Sequence, residues 1–104
     1  MSDLTALRDA MREFTAERGW ERFHDPKSLI VALVGEVGEL CELFQWLPSG
    51  EAAALAGEEP LRTRAGEEMA DVLLYLVRLA DVLGVDLAAA AERKMRLNAE
   101  KHRA

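Results

Sequence analysis

Cysteine, proline, histidine and net positive charge are all scarce in this sequence. One cysteine, Cys41, in 104 residues excludes an internal disulfide framework and fits a reducing compartment. Three prolines leave long stretches open to helix. No apolar run approaches the ~20 residues of a membrane span. The start, "MSDLTALRDA", is too polar for a secretory signal or a transit peptide. These absences predict a soluble, cytoplasmic protein with no membrane partner. Thirteen basic residues against nineteen acidic ones give a formal charge of −6. Such a surface lacks the basic character that sequence-independent nucleic-acid binding needs, so no nucleic-acid partner is expected. It would also repel a phosphate ligand unless cations intervened.

What remains is helix. Half of the residues are hydrophobic, and residues 1–104 suffice for a single domain with a modest core. Ser2 or Asp3 caps a first helix with Leu4, Leu7, Met11 and Phe14 on one face, ended by Gly19. "WERFHDP" is a connector. Asp25-Pro26 pairs a cap with proline at the first helical position, and a second helix is expected from Pro26 to about Trp46. Leu29, Ile30, Leu33, Val34, Val37, Leu40, Cys41 and Phe44 make it apolar over most of its circumference, which belongs in the centre of a bundle. Cys41 reads as a small core residue. "LPSGEAAALAGEE" is a long loop with room for one short helical turn. Pro60 opens a third helix, rich in Met69, Val72, Leu73, Leu76, Val77, Leu79 and Ala80, and Gly84 closes it. Asp86 caps a fourth. The expected fold is all-α, a four-helix bundle, and its surplus of apolar helix surface predicts an oligomer.

Two acid pairs interrupt the apolar helices. Residues three apart share a helix face, so Glu36 and Glu39 point one way, as do Glu68 and Asp71. If the two central helices are neighbours, four carboxylates converge. Four negative charges in a partly dry site require cations, and oxygen-only ligands suit Mg²⁺, with Mn²⁺ as a substitute, rather than zinc. One acid pair on a helix is commonly solvated surface. Two pairs on nearly all-apolar helices bring ligation level with solvated surface. Glu42 and Glu67 rotate off the acid faces. A di-iron carboxylate site would need Glu-x-x-His on facing helices, and both histidines, His24 and His102, lie outside the central helices. Tyr75 and Arg78 fall near the acid face of the third helix; Tyr75 can donate to a phosphate or sugar oxygen, and Arg78 is either a partner of an anion or solvated surface. Lys94 and Asn98, four apart, share a face of the last helix.

Taken together, "LVGEVGELCELFQW", "EEMADVLLYLVRLADVLGVDL" and "KMRLN" resemble the all-α nucleoside triphosphate pyrophosphohydrolases, the MazG-like family, in its dCTP pyrophosphatase branch. The likeness runs from "FTAERGWERFH" to Asn98. It implies Mg²⁺ held by Glu36, Glu39, Glu68 and Asp71, and cleavage of a nucleoside triphosphate to monophosphate and pyrophosphate in nucleotide-pool housecleaning. It also implies substrate contacts at Trp20, His24, Trp46, Tyr75, Lys94 and Asn98, with a preference for pyrimidine deoxynucleotides. Similar proteins are dimers or tetramers with the site near a subunit interface, so a tetramer of two dimers is expected. Residues 47–66 match nothing in the pattern, and the sequence reads "NAEKHRA" where relatives place Tyr-Pro after the lysine. The alternative from another class is a non-catalytic helical module that binds a partner helix, which would have no use for acids on apolar helices.

Overall fold

A computed structural model describes residues 3–103, and among them no strand occurs. Five helices follow one another: α1 (Asp3–Arg18), α2 (Pro26–Phe44), α3 (Ala52–Ala56), α4 (Leu61–Leu83) and α5 (Leu87–Lys101). A single 3₁₀ turn, Glu21–Phe23, lies between α1 and α2. The all-α class is as expected. The long loop does hold its extra turn, α3, so the four expected helices become four long ones and one short one.

The helix ends follow local chemistry. Gly19 and Gly84 take positive φ, +63° and +70°, where a Cβ would be strained. Each lets the chain fold back onto the helix it leaves: Trp20 N–H donates to Thr15 O at 3.1 Å, and Val85 N–H to Ala80 O at 2.8 Å. The Asp25 carboxylate accepts from Ser28 N–H at 3.0 Å, and Asp86 accepts from Ala89 N–H at 3.1 Å. The cap expected at Ser2 lies outside the described residues. Pro60 stands at the N-cap rather than inside α4. The second helix stops at Phe44, two residues short of Trp46.

α2 and α4 pack along each other as the central seam, and α1 and α3 lie against α4. Leu29, Ala65, Val77 and Ala80 are the buried apolar residues, joined by Thr15 and Arg78. Two readings need correction. α2 does not sit at the centre of the single chain: α4 covers one side of it, and Val31 and Val34 remain 64% exposed. Cys41 is exposed on that uncovered surface rather than in the core. The apolar pattern was real, but one chain supplies too few helices to cover it. α5 buries no residue at all.

Candidate active site

The α2–α4 seam places the acids opposite each other. Carboxylate oxygens of Glu36, Glu39 and Glu68 lie within 4.8 Å of one another, a grouping able to hold a cation. Glu36 and Glu68 are half-buried and Glu39 is exposed. Glu36 Oε2 and Glu68 Oε2 are buried with no hydrogen-bond partner among the described residues. An orphaned carboxylate oxygen is costly in a folded protein. Burial, then the close approach and charge of Glu39, then the charge of Asp71, push the Glu36 carboxyl up to about 7. Glu68 is raised by burial first and by Glu39 next. Two buried, unpartnered oxygens beside a third carboxylate fit a hard divalent cation. Asp71 stands outside the tight trio, although its charge acts on both buried acids. Convergence in the single chain is therefore three acids plus a close fourth.

Asp71 also borders a groove of about 470 Å³ between α1, the connector and α4. Trp20, His24, Tyr75, Phe14, Met11 and the fully buried Thr15 help to line it. Phe14 and Trp20 meet edge to face, with ring centroids 5.7 Å apart. Thr15 Oγ1 is buried without a hydrogen-bond partner among the described residues. On the other side of the acids, Glu39 and Glu68 share an open cavity with Glu42 and Arg64. The exposed Glu67 borders neither space.

Of the expected substrate contacts, Trp20, His24 and Tyr75 come together at the groove. Trp46 does not join them. It follows the last turn of a 19-residue helix whose first turn follows His24, so the two ends stand about 28 Å apart. Trp46 is 86% exposed, and no single-chain platform combines it with Trp20. Lys94 and Asn98 are exposed on α5 and line neither acid cavity. Arg78 is not solvated. It is 9% exposed, with Nε donating to His24 Nδ1 at 3.0 Å and Nη1 to Asp81 Oδ2 at 3.2 Å. Sequence reasoning missed this network, and it missed Arg64. Arg78 and His24 are 54 positions apart, beyond any local spacing rule. The charge at position 64, in the turn before Glu68, was visible but unused.

An all-α chain with carboxylates facing each other across its central seam defines a class of helical acidic-site proteins. The chain belongs to the MazG-like family, whose sequence profile matches residues 31–104. It is 48% identical over 99 residues to the dCTP pyrophosphatase 1 of Rattus norvegicus and to that of Homo sapiens. The match takes in 95% of this chain and 58% of each relative, so the chain spans less than two thirds of their length. The crystal structure of a pyrophosphatase from Archaeoglobus fulgidus superposes with a TM-score of 0.90 at 38% identity, covering all of this chain and 95% of that one.

Proposed function

We propose that the protein is a Mg²⁺-dependent nucleoside triphosphate pyrophosphohydrolase. It would convert dCTP or a modified pyrimidine deoxynucleotide to the monophosphate and pyrophosphate, and so clear unwanted nucleotides from the pool. One observation carries the reading: buried, unpartnered carboxylate oxygens of Glu36 and Glu68 stand beside an apolar groove, with Asp71 common to both. The names of the relatives point the same way.

Glu36, Glu39 and Glu68, with Asp71, would hold the cation. When bound, Mg²⁺ offsets the charge of acids and triphosphate together and makes a nearby water more acidic. The groove receives base and sugar, with Phe14 and Trp20 as its aromatic wall and Tyr75 near the sugar. Because Asp71 lies where groove and acids meet, a nucleoside seated there directs its phosphates towards the carboxylates. Glu39, the exposed member of the trio, orients a water for attack on the α-phosphorus and accepts its proton. Arg64, across the acids from the groove, receives the departing pyrophosphate. Trp46, Lys94 and Asn98 stand apart from this site in one chain. They take part in a tetramer of two dimers, with the site near the subunit interface.

The uncovered apolar face of α2 also suits a non-catalytic helical interaction module. That reading gives the buried acids no purpose. A panel of triphosphates with Mg²⁺, with products separated, distinguishes the two. Monophosphate and pyrophosphate are expected, fastest from dCTP or its relatives. Diphosphate and phosphate would reject the proposed bond, and no turnover of any triphosphate would favour the module.

A further inference from the structure

A chain of two ion pairs and a hydrogen bond ends on one of the groove's lining residues. Arg12 Nε donates to Asp81 Oδ2 at 2.8 Å, and Arg78 Nη1 donates to the same oxygen at 3.2 Å. Arg78 Nε then donates to His24 Nδ1 at 3.0 Å. The side chains of Arg78 and Asp81 are only 11% and 8% exposed. None of these groups belongs to the acid trio or to the cavity shared by Glu39, Glu68 and Arg64.

A guanidinium only donates, so His24 Nδ1 must accept, and the proton of the neutral ring sits on Nε2. The two ring nitrogens point in divergent directions, so Nε2 faces away from Arg78. No hydrogen bond to Nε2 occurs among the described residues, and Nε2 is not a buried orphan. His24 lines the groove alongside the apolar Leu7, Met11, Phe14 and Leu74, with Thr15, Asp71 and Tyr75 as other polar residues.

We propose that Arg78, braced by Asp81 and Arg12, is a positioning residue that fixes His24 as an Nε2–H donor in the groove for an acceptor on the nucleobase ring, a carbonyl oxygen or an unprotonated ring nitrogen. This rests on the reading that the groove holds the nucleoside. A free imidazole exchanges between two tautomers and takes up a proton, and selecting one form on binding would cost affinity. Here the selection is built into the fold. Burial, and then the charge of Arg78, disfavour protonation of His24, so the donor stays neutral. In an apolar slot, a fixed donor rejects rings that leave it unpaired.

The test uses the full chain and needs no hydrolysis. Binding of dCMP is measured by calorimetry, and the proton distribution on the His24 ring by nitrogen NMR. Arg78→Met should weaken dCMP binding about five- to tenfold, the scale of one neutral hydrogen bond. It should also turn the single Nε2–H signature into a mixture of tautomers. Arg78→Lys, still donor-only, should restore most of both. His24→Gln keeps an N–H near the Nε2 position and should bind better than His24→Phe, which keeps a flat ring without the donor and should lose the same five- to tenfold. A purely structural Arg78 would alter melting while leaving the tautomer and the affinity alone, and that result would overturn the proposal. So would His24→Phe binding dCMP like the unaltered protein, or an unaltered protein that does not bind dCMP. Binding that follows this pattern in a protein that cleaves no triphosphate would reject the hydrolase reading and keep the inference. Pyrophosphate release with no loss in Arg78→Met or His24→Phe would do the reverse.

Discussion

The Glu36 carboxyl is raised to about 7 by its surroundings, and its neighbours make that shift testable. Replacing Glu36, Glu39, Glu68 or Asp71 by its amide removes one anionic ligand at nearly constant volume. The rate of pyrophosphate release should fall ~10²-fold or more, the scale of lost electrostatic stabilisation in a site, and Mg²⁺ dependence should weaken. Glu67→Gln, on the same helix but away from the acids, should change little. Glu42→Gln, at the rim of the outer cavity, should have an effect far smaller than the four. Six variants as inactive as one another would show that the site is misplaced. The pH dependence has a definite sign. The folded protein holds the Glu36 proton up to about 7, against an ordinary value of 4.5. Between those values the unfolded chain has released a proton that the folded chain retains, so the Glu36 contribution to stability falls as pH rises and is constant above about 7. His24, with its lowered value, acts in the opposite sense below 6.5, so the unaltered protein alone does not isolate the effect. The difference between Glu36→Gln and the unaltered protein does. Without metal, the variant's advantage in urea unfolding should be nil near pH 4.5 and complete above about 7. The acids were legible in the sequence because their spacing is a property of one helix. The Arg12–Asp81–Arg78–His24 chain was not, because its bonds join α1 and the connector to α4 across 69 and 54 positions.

The same division holds for the helices. Asp25, Gly84 and Asp86 marked their boundaries from sequence because capping is decided within four residues. The last turn of α2 was overestimated. Its apolar run continues to Trp46, but Pro48 disfavours helical geometry in the residue before it, and the chain turns after Phe44. The short turn expected in the long loop is α3, five residues packed against α4. The two aspartate caps should respond differently to removal. Asp25 holds the first turn of α2, half of the central seam. Asp25→Ala should cost about 1 kcal/mol of global unfolding free energy. Asp86 caps α5, which buries nothing. Asp86→Ala should appear chiefly as faster amide exchange confined to α5, with α2 and α4 still protected. Equal exchange changes in all three helices would contradict this division.

At the scale of the whole molecule, apolar surface exceeds what the chain covers. Val31, Val34, Trp46 and Met95 are each more than 60% exposed. Sequence alone showed α2 apolar over most of its circumference, with a surplus of apolar surface; which side stays open depends on how the helices of one chain pack. The protein should be an oligomer at micromolar concentration by light scattering, and Val31→Asp combined with Val34→Asp should reduce it to a monomer. A monomeric unaltered protein would refute this. The acid site has a further consequence. Its carboxylates are divided between α2 and α4, helices that lie far apart along the chain. On the proposed reading, a cation bound by both sets is also a fastener between them, and it favours the closed chain by mass action. Proteases act on chains that have opened. A cell short of divalent cations would then degrade this protein faster, so cation supply would set how many copies survive as well as how quickly each one works.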